Sequence, residues 1–377
     1  MSRVFFVSGE ISGDTHGAAL MRNLRTVAGD DEFEFAGLGG HLMREAGGDE
    51  VEDWVTEAGV VGLWEVLKKY GWFKQKFDAT LARIAEWKPD AVVLIDYPGF
   101  NLRLARALRK AKCNAKVIYY ISPQVWAWNR GRIPKMARML DLMLCIFPFE
   151  KELYEASGLR TEFVGHPFGD EMEYLRIATG RESNLVGFLP GSREREVAAL
   201  FPVMREAAIA LARQFPELRF EVAAASDARA AQIRDLLAGH SCPEIQISVG
   251  QACELMQRAT VGVVASGTAS LQAAFFGLPY CLVYKVAPLT YLAARAVMKV
   301  EHLGMVNILA GREVVRELLQ NDCTVGSVSE ALAELLQFPA RRNELSAELA
   351  AVTAPLTEPG ASKRAANVIS RAILETS

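Results

Sequence analysis

Short apolar runs alternate along this chain with longer amphipathic segments in which apolar residues recur every three or four positions. The apolar runs cover residues 4–8, 33–37, 91–96, 117–122, 142–147 and 161–164 in the first half, and residues 185–189, 220–225, 245–249, 261–265 and 280–284 in the second. This alternation is typical of parallel β-sheets covered by helices on both faces. The pattern therefore predicts a doubly wound α/β domain in each half of the chain.

The domain boundaries follow from a polar break in this pattern. At 377 residues the chain is too long for one hydrophobic core, and the polar segment 169–183 separates the two sets of runs. We expect a first domain over residues 1–170, a linker over 171–184 and a second domain over 185–354. Residues 355–377 contain a C-terminal helix that can pack on either domain.

The composition narrows the class of protein. With 51% hydrophobic and 23% charged residues it is ordinary for a soluble fold, and the net charge of -3 argues against nucleic-acid binding. Cysteines and histidines show no metal spacing, and the apolar N-terminal run is too short for a signal sequence. The uncharged stretch 259–284 contains two tight turns, so we interpret it as buried strands and a helix. We expect a cytoplasmic protein without a transmembrane helix.

Three tight turns of small residues each join an apolar run to a helical segment. They read SGEISGD at residues 8–14, LPGSR at 189–193 and SGTAS at 266–270. Ligands of doubly wound sheets bind at the carboxyl ends of strands, where a helix N-terminus presents free N–H groups to an anion. Arg193 adds a guanidinium that can hold phosphate through two hydrogen bonds. Together the turns predict a ligand with phosphates between the domains, although each alone is also compatible with an ordinary strand-to-helix turn.

Several known signatures are absent from the sequence. It contains no GxxxxGK[ST], no GxGxxG and no GxSxG, and no DxD pair with which many sugar-nucleotide enzymes hold a divalent cation. Helix N-termini and Arg193 would then neutralise a bound diphosphate. We expect neither a metal ion nor a cofactor.

Two acidic residues and a histidine occupy positions suited to chemistry. Asp96 ends the apolar run 91–96, and Glu10 lies in the first small-residue turn. A carboxylate at the end of a buried strand is placed to act as a general base, but acidic residues also cap helices, and both interpretations stay open. His166, in a Gly-His-Pro sequence, either contacts a ligand or supports the hinge.

Residues 59–76, here called the lysine–aromatic stripe, mix apolar and aromatic side chains with four lysines. Segments at a bilayer surface have this composition, and a core-facing helix with solvated lysines is the alternative. The residues expected to face lipid are Val61, Leu63, Trp64, Leu67, Trp72 and Phe73.

A second aromatic segment, SPQVWAWNRGR, occupies residues 122–132. Trp126 and Trp128 beside Arg130 and Arg132 suggest an apolar wall with anion-binding groups next to it. Such a wall suits a ligand that carries an acyl chain and a phosphate. A loop packed by its own aromatic rings is the competing interpretation.

Taken in order, these segments resemble the lipid-A-disaccharide synthases along nearly the whole chain. The matching segments are GEISGD at residues 9–14, IDYPGFN at 95–101, SPQVWAW at 122–128, FPFE at 147–150, GHP at 165–167, LPGSR at 189–193, SGTA at 266–269 and NILAGR at 307–312, leading into ELLQ at 317–320. The resemblance implies two Rossmann-like domains of the GT-B type facing each other across a cleft. It also implies an inverting, metal-independent transferase that joins UDP-2,3-diacylglucosamine to 2,3-diacylglucosamine-1-phosphate through a β-1,6 bond and releases UDP. Peripheral association with the cytoplasmic face of the inner membrane and a homodimer that exchanges C-terminal parts are further implications.

The resemblance also assigns roles to single positions. Asp96 would take the proton of the acceptor's 6-hydroxyl with Glu10 close by, and Arg193 would stabilise the leaving diphosphate. The implied UDP site contains Gly191, Ser192, Arg193, Ser266, Gly267, Thr268, Ala269, Gln272 and Asn307, and the implied acceptor side contains Ser12, Gly13, Asp14, Trp126, Trp128, Arg130 and His166. Gln272 stands where the family commonly has Glu, and we expect UDP binding to survive this change.

Two other kinds of function stay open on the sequence alone. Another enzyme of the same architecture, such as an undecaprenyl-linked sugar transferase or a UDP-sugar epimerase, would share the three turns. An epimerase, however, has no use for the stripe or the tryptophan wall. A non-enzymatic lipid-binding protein would explain the stripe but leave three anion-type turns without a role.

Overall fold

The computed structural model describes residues 1–29, 32–58, 70–178, 180–287, 291, 295, 298 and 300–374. Two units are found in the chain. The first contains Met1–Asp170 and the C-terminal segment from Glu358, and the second contains Glu171–Thr357. Each unit is organised around a parallel sheet of its own.

The described residues of the first unit form seven parallel strands in the order β3-β2-β1-β4-β5-β6-β7. The strands are β1 (Ser2–Val7), β2 (Phe33–Gly39), β3 (Val51–Asp53), β4 (Ala91–Ile95), β5 (Lys116–Tyr120), β6 (Leu142–Cys145) and β7 (Thr161–Phe163). The strand order reverses between β1 and β4, where Val7 pairs with Leu94. Ligands bind beyond the carboxyl ends of strands at such a switch point. The residues that follow Val7 and Ile95 are therefore the first place to look for a site.

The described residues of the second unit form six parallel strands in the order β10-β9-β8-β11-β12-β13. The strands are β8 (Leu185–Leu189), β9 (Arg219–Ala224), β10 (Ile245–Val249), β11 (Val261–Ala265), β12 (Tyr280–Tyr284) and β13 (Glu317–Leu319). Here the order reverses between β8 and β11, and Val264 pairs with Leu189. The corresponding switch point lies beyond Leu189 and Ala265.

Helices connect the strands in both units. They are α1 (Ile11–Ala28), α2 (His41–Gly47), α3 (Val55–Ala58), α4 (Tyr70–Trp87), α5 (Pro98–Lys110), α6 (Val125–Trp128), α7 (Ile133–Ala137), α8 (Pro148–Glu155), α9 (Phe168–Tyr174), α10 (Glu194–Gln214), α11 (Asp227–Leu237), α12 (Ala252–Arg258), α13 (Thr268–Phe275), α14 (Met305–Ala310), α15 (Val325–Gln337), α16 (Pro339–Thr357) and α17 (Ala361–Leu374). Pro98 and Pro148 each stand in the first turn of a helix, where the missing N–H costs no hydrogen bond.

The fold class predicted from the sequence is confirmed. Every apolar run forms a strand to within two residues at either end, and helices separate successive strands, as in Rossmann-like α/β domains. The structure adds the edge strands Val51–Asp53 and Glu317–Leu319, which the sequence pattern does not reveal. Three residues of mixed polarity are too few to show a strand period.

The C-terminal helix packs on the first unit. Ala365, Ile369 and Ile373 are buried in the same apolar cluster as Leu20 and Met21 of α1. Within this unit, Arg364 Nε of α17 donates to the Val164 carbonyl at 2.8 Å. The choice that the sequence leaves open is therefore settled in favour of the first unit.

The polar segment predicted to be a linker is anchored within the second unit. Ile177 N–H donates to Gln257 Oε1 at 3.0 Å, and Arg181 Nη1 donates to the Ala259 carbonyl at 2.8 Å. Glu182 forms an ion pair with Arg258. Charges that look like those of a solvated connector in the sequence instead help to fix this segment to α12 and the residue that follows it.

Candidate active site

The turn after β1 contains two glycines that close contacts require. A Cβ at Gly9 would lie 2.4 Å from a ring atom of Tyr97, and a Cβ at Gly13 would lie 2.3 Å from Ser8 Oγ. Only glycine lets the turn approach these side chains. The first turn of α1, which includes the exposed Ser12, has no side-chain cap. Its N–H groups are therefore available to an anion.

Asp96 follows β4 in a backbone conformation that few residues other than glycine adopt. The φ angle is 44° at Asp96 and 46° at Tyr97, in the left-handed region, where each residue costs about 1–3 kcal/mol. The Asp96 carbonyl accepts hydrogen bonds from Asn101 Nδ2 at 2.8 Å and Tyr119 Oη at 2.5 Å. Asn101 Nδ2 also donates to the Ile95 carbonyl at 3.1 Å. These hydrogen bonds to the main-chain carbonyl hold the strained backbone at Asp96 in place.

The electrostatic environment of Asp96 suits a base. Its pKa is raised to about 6, first by burial and then by the negative charge of Glu10, against an opposing hydrogen bond from the Tyr97 backbone. The structure therefore brings the two predicted acidic residues close enough to interact. At neutral pH such a carboxylate is ionised, yet it accepts a proton more readily than an ordinary aspartate.

Asp14 has a structural role in the first unit. Its carboxylate accepts the N–H groups of Gly40, Leu42 and Met43 at 2.8, 3.1 and 2.9 Å. These groups belong to the N-terminus of α2, which Asp14 caps from α1. Both oxygens are engaged, so the carboxylate is committed to joining two helices.

His166 is held as a neutral ring. Its Nδ1 accepts the Phe168 N–H at 3.1 Å, and its ring meets those of Phe147 and Phe168 with centroids 5.3 and 5.1 Å apart. The pKa of His166 is lowered to about 3, by burial and then by His16, whose own pKa burial lowers to about 4. The bond to Nδ1 places the proton of the neutral ring on Nε2.

The two tryptophans of the 122–132 segment have different environments. Trp126 is 2% exposed and Trp128 is 43% exposed. Trp126 Nε1 donates to Glu150 Oε1 at 2.8 Å, and its ring contacts Phe149 edge-on with centroids 4.8 Å apart. Trp126 therefore anchors the loop in the core, as the competing interpretation of this segment describes. Only Trp128 presents an apolar surface, and the guanidinium of Arg132 lies 4.8 Å from its ring centroid.

Glu150 is a buried acid that the sequence does not single out. Besides Trp126 it accepts the Phe147 N–H at 3.1 Å, and burial raises its pKa to about 7. Its spacing three residues after Phe147 is that of a capping residue, which is the one local signal for it. The contact with Trp126 connects two segments and cannot be read from either alone. Arg130, which is exposed, donates from Nε to the Trp126 carbonyl at 3.1 Å.

The lysine–aromatic stripe is described only in part. Val61, Leu63, Trp64 and Leu67 lie outside the described residues. Trp72 and Phe73 are half-buried at the start of α4, where both rings pack on the buried Trp54, with centroids 5.9 and 6.4 Å away. These two aromatic side chains of the stripe therefore contribute to packing within the unit. Within the described part of the chain, no helix is long and apolar enough to cross a membrane.

The second unit brings the other two predicted turns into one cavity of about 310 Å³. Gly191 and Gly267 adopt φ angles of 101° and 142°, which side chains disfavour, so the turns depend on these glycines. Helix α13 begins there without a side-chain cap. The predicted residues that line the cavity are Gly191, Ser192, Arg193, Ser266, Gly267, Thr268 and Ala269.

Arg193 stands at the N-cap of α10 and is 74% exposed at its side chain. Its Nη1 forms an ion pair with Glu196 Oε1 at 2.7 Å, and its N–H donates to Glu196 Oε2 at 3.3 Å. The three-residue spacing of this pair at the start of a helix is the one local signal for it in the sequence. Glu196 also lines the cavity, so it occupies the position next to the guanidinium that an anion would take.

The remaining predicted UDP residues lie outside the lining of this cavity. Asn307 is 1% exposed, accepts the N–H groups of Val314 and Val315 at 2.8 and 2.9 Å, and donates to Glu317 Oε1 at 2.8 Å. It therefore organises the segment before β13. Gln272 is half-buried one turn into α13.

Known protein sequences match this chain over nearly its whole length. Residues 4–369 match the family described as lipid-A-disaccharide synthetase. A lipid-A-disaccharide synthase of Geobacter sulfurreducens is 38% identical over 378 residues, which cover 97% of this chain and 96% of that protein. One from Persephonella marina is 36% identical and covers 98% of both chains.

Two solved structures share the fold at low identity. A putative UDP-N-acetylglucosamine 2-epimerase from Listeria monocytogenes has a TM-score of 0.65 at 13% identity, covering 100% of this chain and 97% of its own. UDP-GlcNAc 2-epimerase from Neisseria meningitidis, bound to UDP-GlcNAc, has a TM-score of 0.59 at 13% identity, covering 99% of each chain. The structural likeness supports the fold alone, whereas the sequence match runs through both units. The chain belongs to the lipid-A-disaccharide synthase family of glycosyltransferases.

Proposed function

We propose that this chain joins two acylated glucosamine units into a disaccharide. The donor is UDP-2,3-diacylglucosamine, the acceptor is 2,3-diacylglucosamine-1-phosphate, and UDP is released. The observation that carries the proposal is the match to lipid-A-disaccharide synthases over residues 4–369. The named activity of those relatives and the raised pKa of Asp96 at the β1–β4 switch point support the same chemistry.

In this proposal Asp96 is the general base. Its ionised carboxylate takes the proton of the acceptor's 6-hydroxyl as the oxygen attacks the anomeric carbon of the donor. The new carbon–oxygen bond forms on the face opposite the departing diphosphate, so the configuration inverts. Glu10 raises the pKa of Asp96 and so strengthens it as a base. Asn101 and Tyr119 position Asp96 through its carbonyl and have no contact with the reacting atoms.

The leaving diphosphate is assigned to the cavity of the second unit. Negative charge grows on the oxygen that leaves the anomeric carbon, and the N–H groups at the start of α13 and the Arg193 guanidinium can stabilise it. Arg193 must exchange its bond to Glu196 for one to phosphate, which its high exposure permits. Asn307 and Asp14 are supporting residues in this account, since their polar atoms are already engaged.

The protein is further proposed to act at the cytoplasmic surface of the inner membrane, because both substrates carry acyl chains. The lysine–aromatic stripe is the candidate contact surface, and its Lys74 is exposed beside the aromatic cluster. A homodimer stays a prediction of the family resemblance.

The direct test is to incubate the purified protein with donor and acceptor and analyse the products by mass spectrometry. We expect a disaccharide 1-phosphate and an equal amount of UDP. A folded sample that binds UDP but forms no disaccharide would overturn the proposal. Release of a free or epimerised sugar in its place would favour the epimerase alternative.

A further inference from the structure

A basic groove lies on the first unit between helix α5 and the segment of residues 129–139. Its cavity volume is about 490 Å³. The charged side chains that line it are Arg103, Arg106, Arg132 and Lys135. We call these four residues and the cavity the basic groove. The roles given above to Asp96 and to the two tryptophans do not account for this surface.

The residues that the structure describes do not neutralise this charge. Within the described residues, no carboxylate lines the groove and no ion pair involves its four cations. Arg109 of the same helix behaves differently, since it forms an ion pair with Asp141 at 2.5 Å and donates to the Met139 carbonyl at 3.1 Å. Arg103 and Arg106 are one turn apart and repel each other. An anionic ligand would relieve this repulsion.

The shape and the side chains of the groove suit a phosphate. Its wall includes the buried apolar residues Leu102, Met136 and Met139, and low-dielectric walls concentrate the field of nearby charges. Arginine guanidinium groups bind phosphate oxygens in pairs. Arg132 is held in place by its contact with the Trp128 ring, which reduces the freedom it loses on binding.

We propose that the basic groove binds the phosphate monoester of the acylated sugar acceptor. This inference rests on the proposed function. The rim of the groove contains Pro98 and Gly99, which follow Asp96 by two and three residues. The acceptor carries its phosphate and its attacking hydroxyl on one sugar ring, so a phosphate site beside the base orients the hydroxyl. The exposed Trp128, whose ring lies against Arg132 of the groove, then offers an apolar surface to the acyl chains.

The test combines variants of the protein with variants of the acceptor. Arg103→Ala, Arg106→Ala and the double variant are compared with Lys110→Ala, which removes an exposed cation of the same helix outside the groove lining. Each is assayed with the acceptor and with the same lipid lacking its phosphate. Equilibrium binding of both lipids in neutral detergent micelles, and sedimentation with phosphatidylglycerol vesicles, are measured on the same samples.

We expect each arginine variant to raise the KM and the dissociation constant for the phosphorylated acceptor about tenfold or more, because charge-assisted hydrogen bonds are lost. The KM for the donor and the constants of Lys110→Ala should stay near wild type. Wild type and variants should bind the acceptor that lacks phosphate equally weakly, since removing the phosphate and removing the arginine side chain abolish the same interaction.

Three results would overturn the inference. The first is that the arginine variants keep their full preference for the phosphorylated acceptor. The second is that they lose vesicle sedimentation with that preference intact, and the third is that Lys110→Ala is affected as strongly as they are. The second result would assign the groove to anionic membrane headgroups. If wild type forms no disaccharide, the proposed function fails, and the micelle binding measurement still decides whether the groove holds the lipid phosphate.

Discussion

The turn that carries Asp96 and the turn that carries Arg193 occupy equivalent switch points but are built in opposite ways. Asp96 is partly buried, strained and held through its carbonyl by Asn101 and Tyr119. Arg193 is exposed and bound to Glu196. A base needs a fixed position and a tuned pKa, whereas a group that binds a leaving diphosphate must also release it. Rigidity and strain thus characterise the residue proposed as the base, and exposure characterises the residue proposed to bind the diphosphate.

The largest effect is expected at the rigid turn. Asp96→Asn should lower kcat by about 10²- to 10⁴-fold, because the proton acceptor is lost. Asparagine tolerates positive φ, so this variant should keep the backbone of the turn, whereas Asp96→Ala adds strain. Titration calorimetry should show UDP affinity near wild type. Loss of UDP binding would mean that Asp96 serves the structure of the protein instead.

The exposed turn should show a smaller loss of the same parameter, kcat. Arg193→Ala should lower kcat by about 10²- to 10³-fold, the range for removing one donor to a developing oxyanion. Arg195→Ala removes a neighbouring exposed arginine outside the cavity lining and should have little effect. Glu196→Gln should keep activity, since it releases the guanidinium. Steady-state kinetics check all three, and an inactive Glu196→Gln would show that the ion pair itself is required.

Two buried asparagines, Asn101 in the first unit and Asn307 in the second, also have different roles. Asn101→Ala and Asn307→Ala should each lower the free energy of unfolding by about 1–3 kcal/mol for each buried partner left unpaired. Only Asn101→Ala should also lower kcat, because it releases the carbonyl of Asp96.

Asn114→Ala, at an exposed position, serves as the control for stability and should change it by less than about 0.5 kcal/mol. Denaturant titration and kinetics on the three variants separate the two effects. Equal losses of kcat in both buried variants would remove the distinction between them.

The smallest effect concerns the charge next to the base. Glu10 raises the pKa of Asp96, so Glu10→Gln should move the acidic limb of the kcat/KM profile to lower pH. The sign follows because the base without its negative neighbour stays ionised further into the acid range. An acidic limb that moves upward, or stays in place, would show that Glu10 does not act through Asp96.

Local pattern was sufficient for the architecture and for the positions of the turns. Apolar runs and small-residue turns are visible in the chain, so every strand except the edge strands β3 and β13, the cavity glycines and the position of Asp96 after β4 could be predicted. Whether Trp126 or Trp128 is buried depends on Glu150, which is distant in sequence. The engagement of Asp14 by α2 likewise depends on how distant segments meet, whereas Glu196 engages Arg193 from three residues away. Contacts of this kind decide which candidate residues stay available to a ligand.

The pH dependence of kcat/KM tests most directly whether ionised Asp96 is the base. Wild type should gain activity with an inflection near pH 6, where Asp96 ionises, and the residual activity of Asp96→Asn should lack this inflection. A wild-type profile that is flat between about pH 5 and 8, or an inflection that persists in Asp96→Asn, would contradict it.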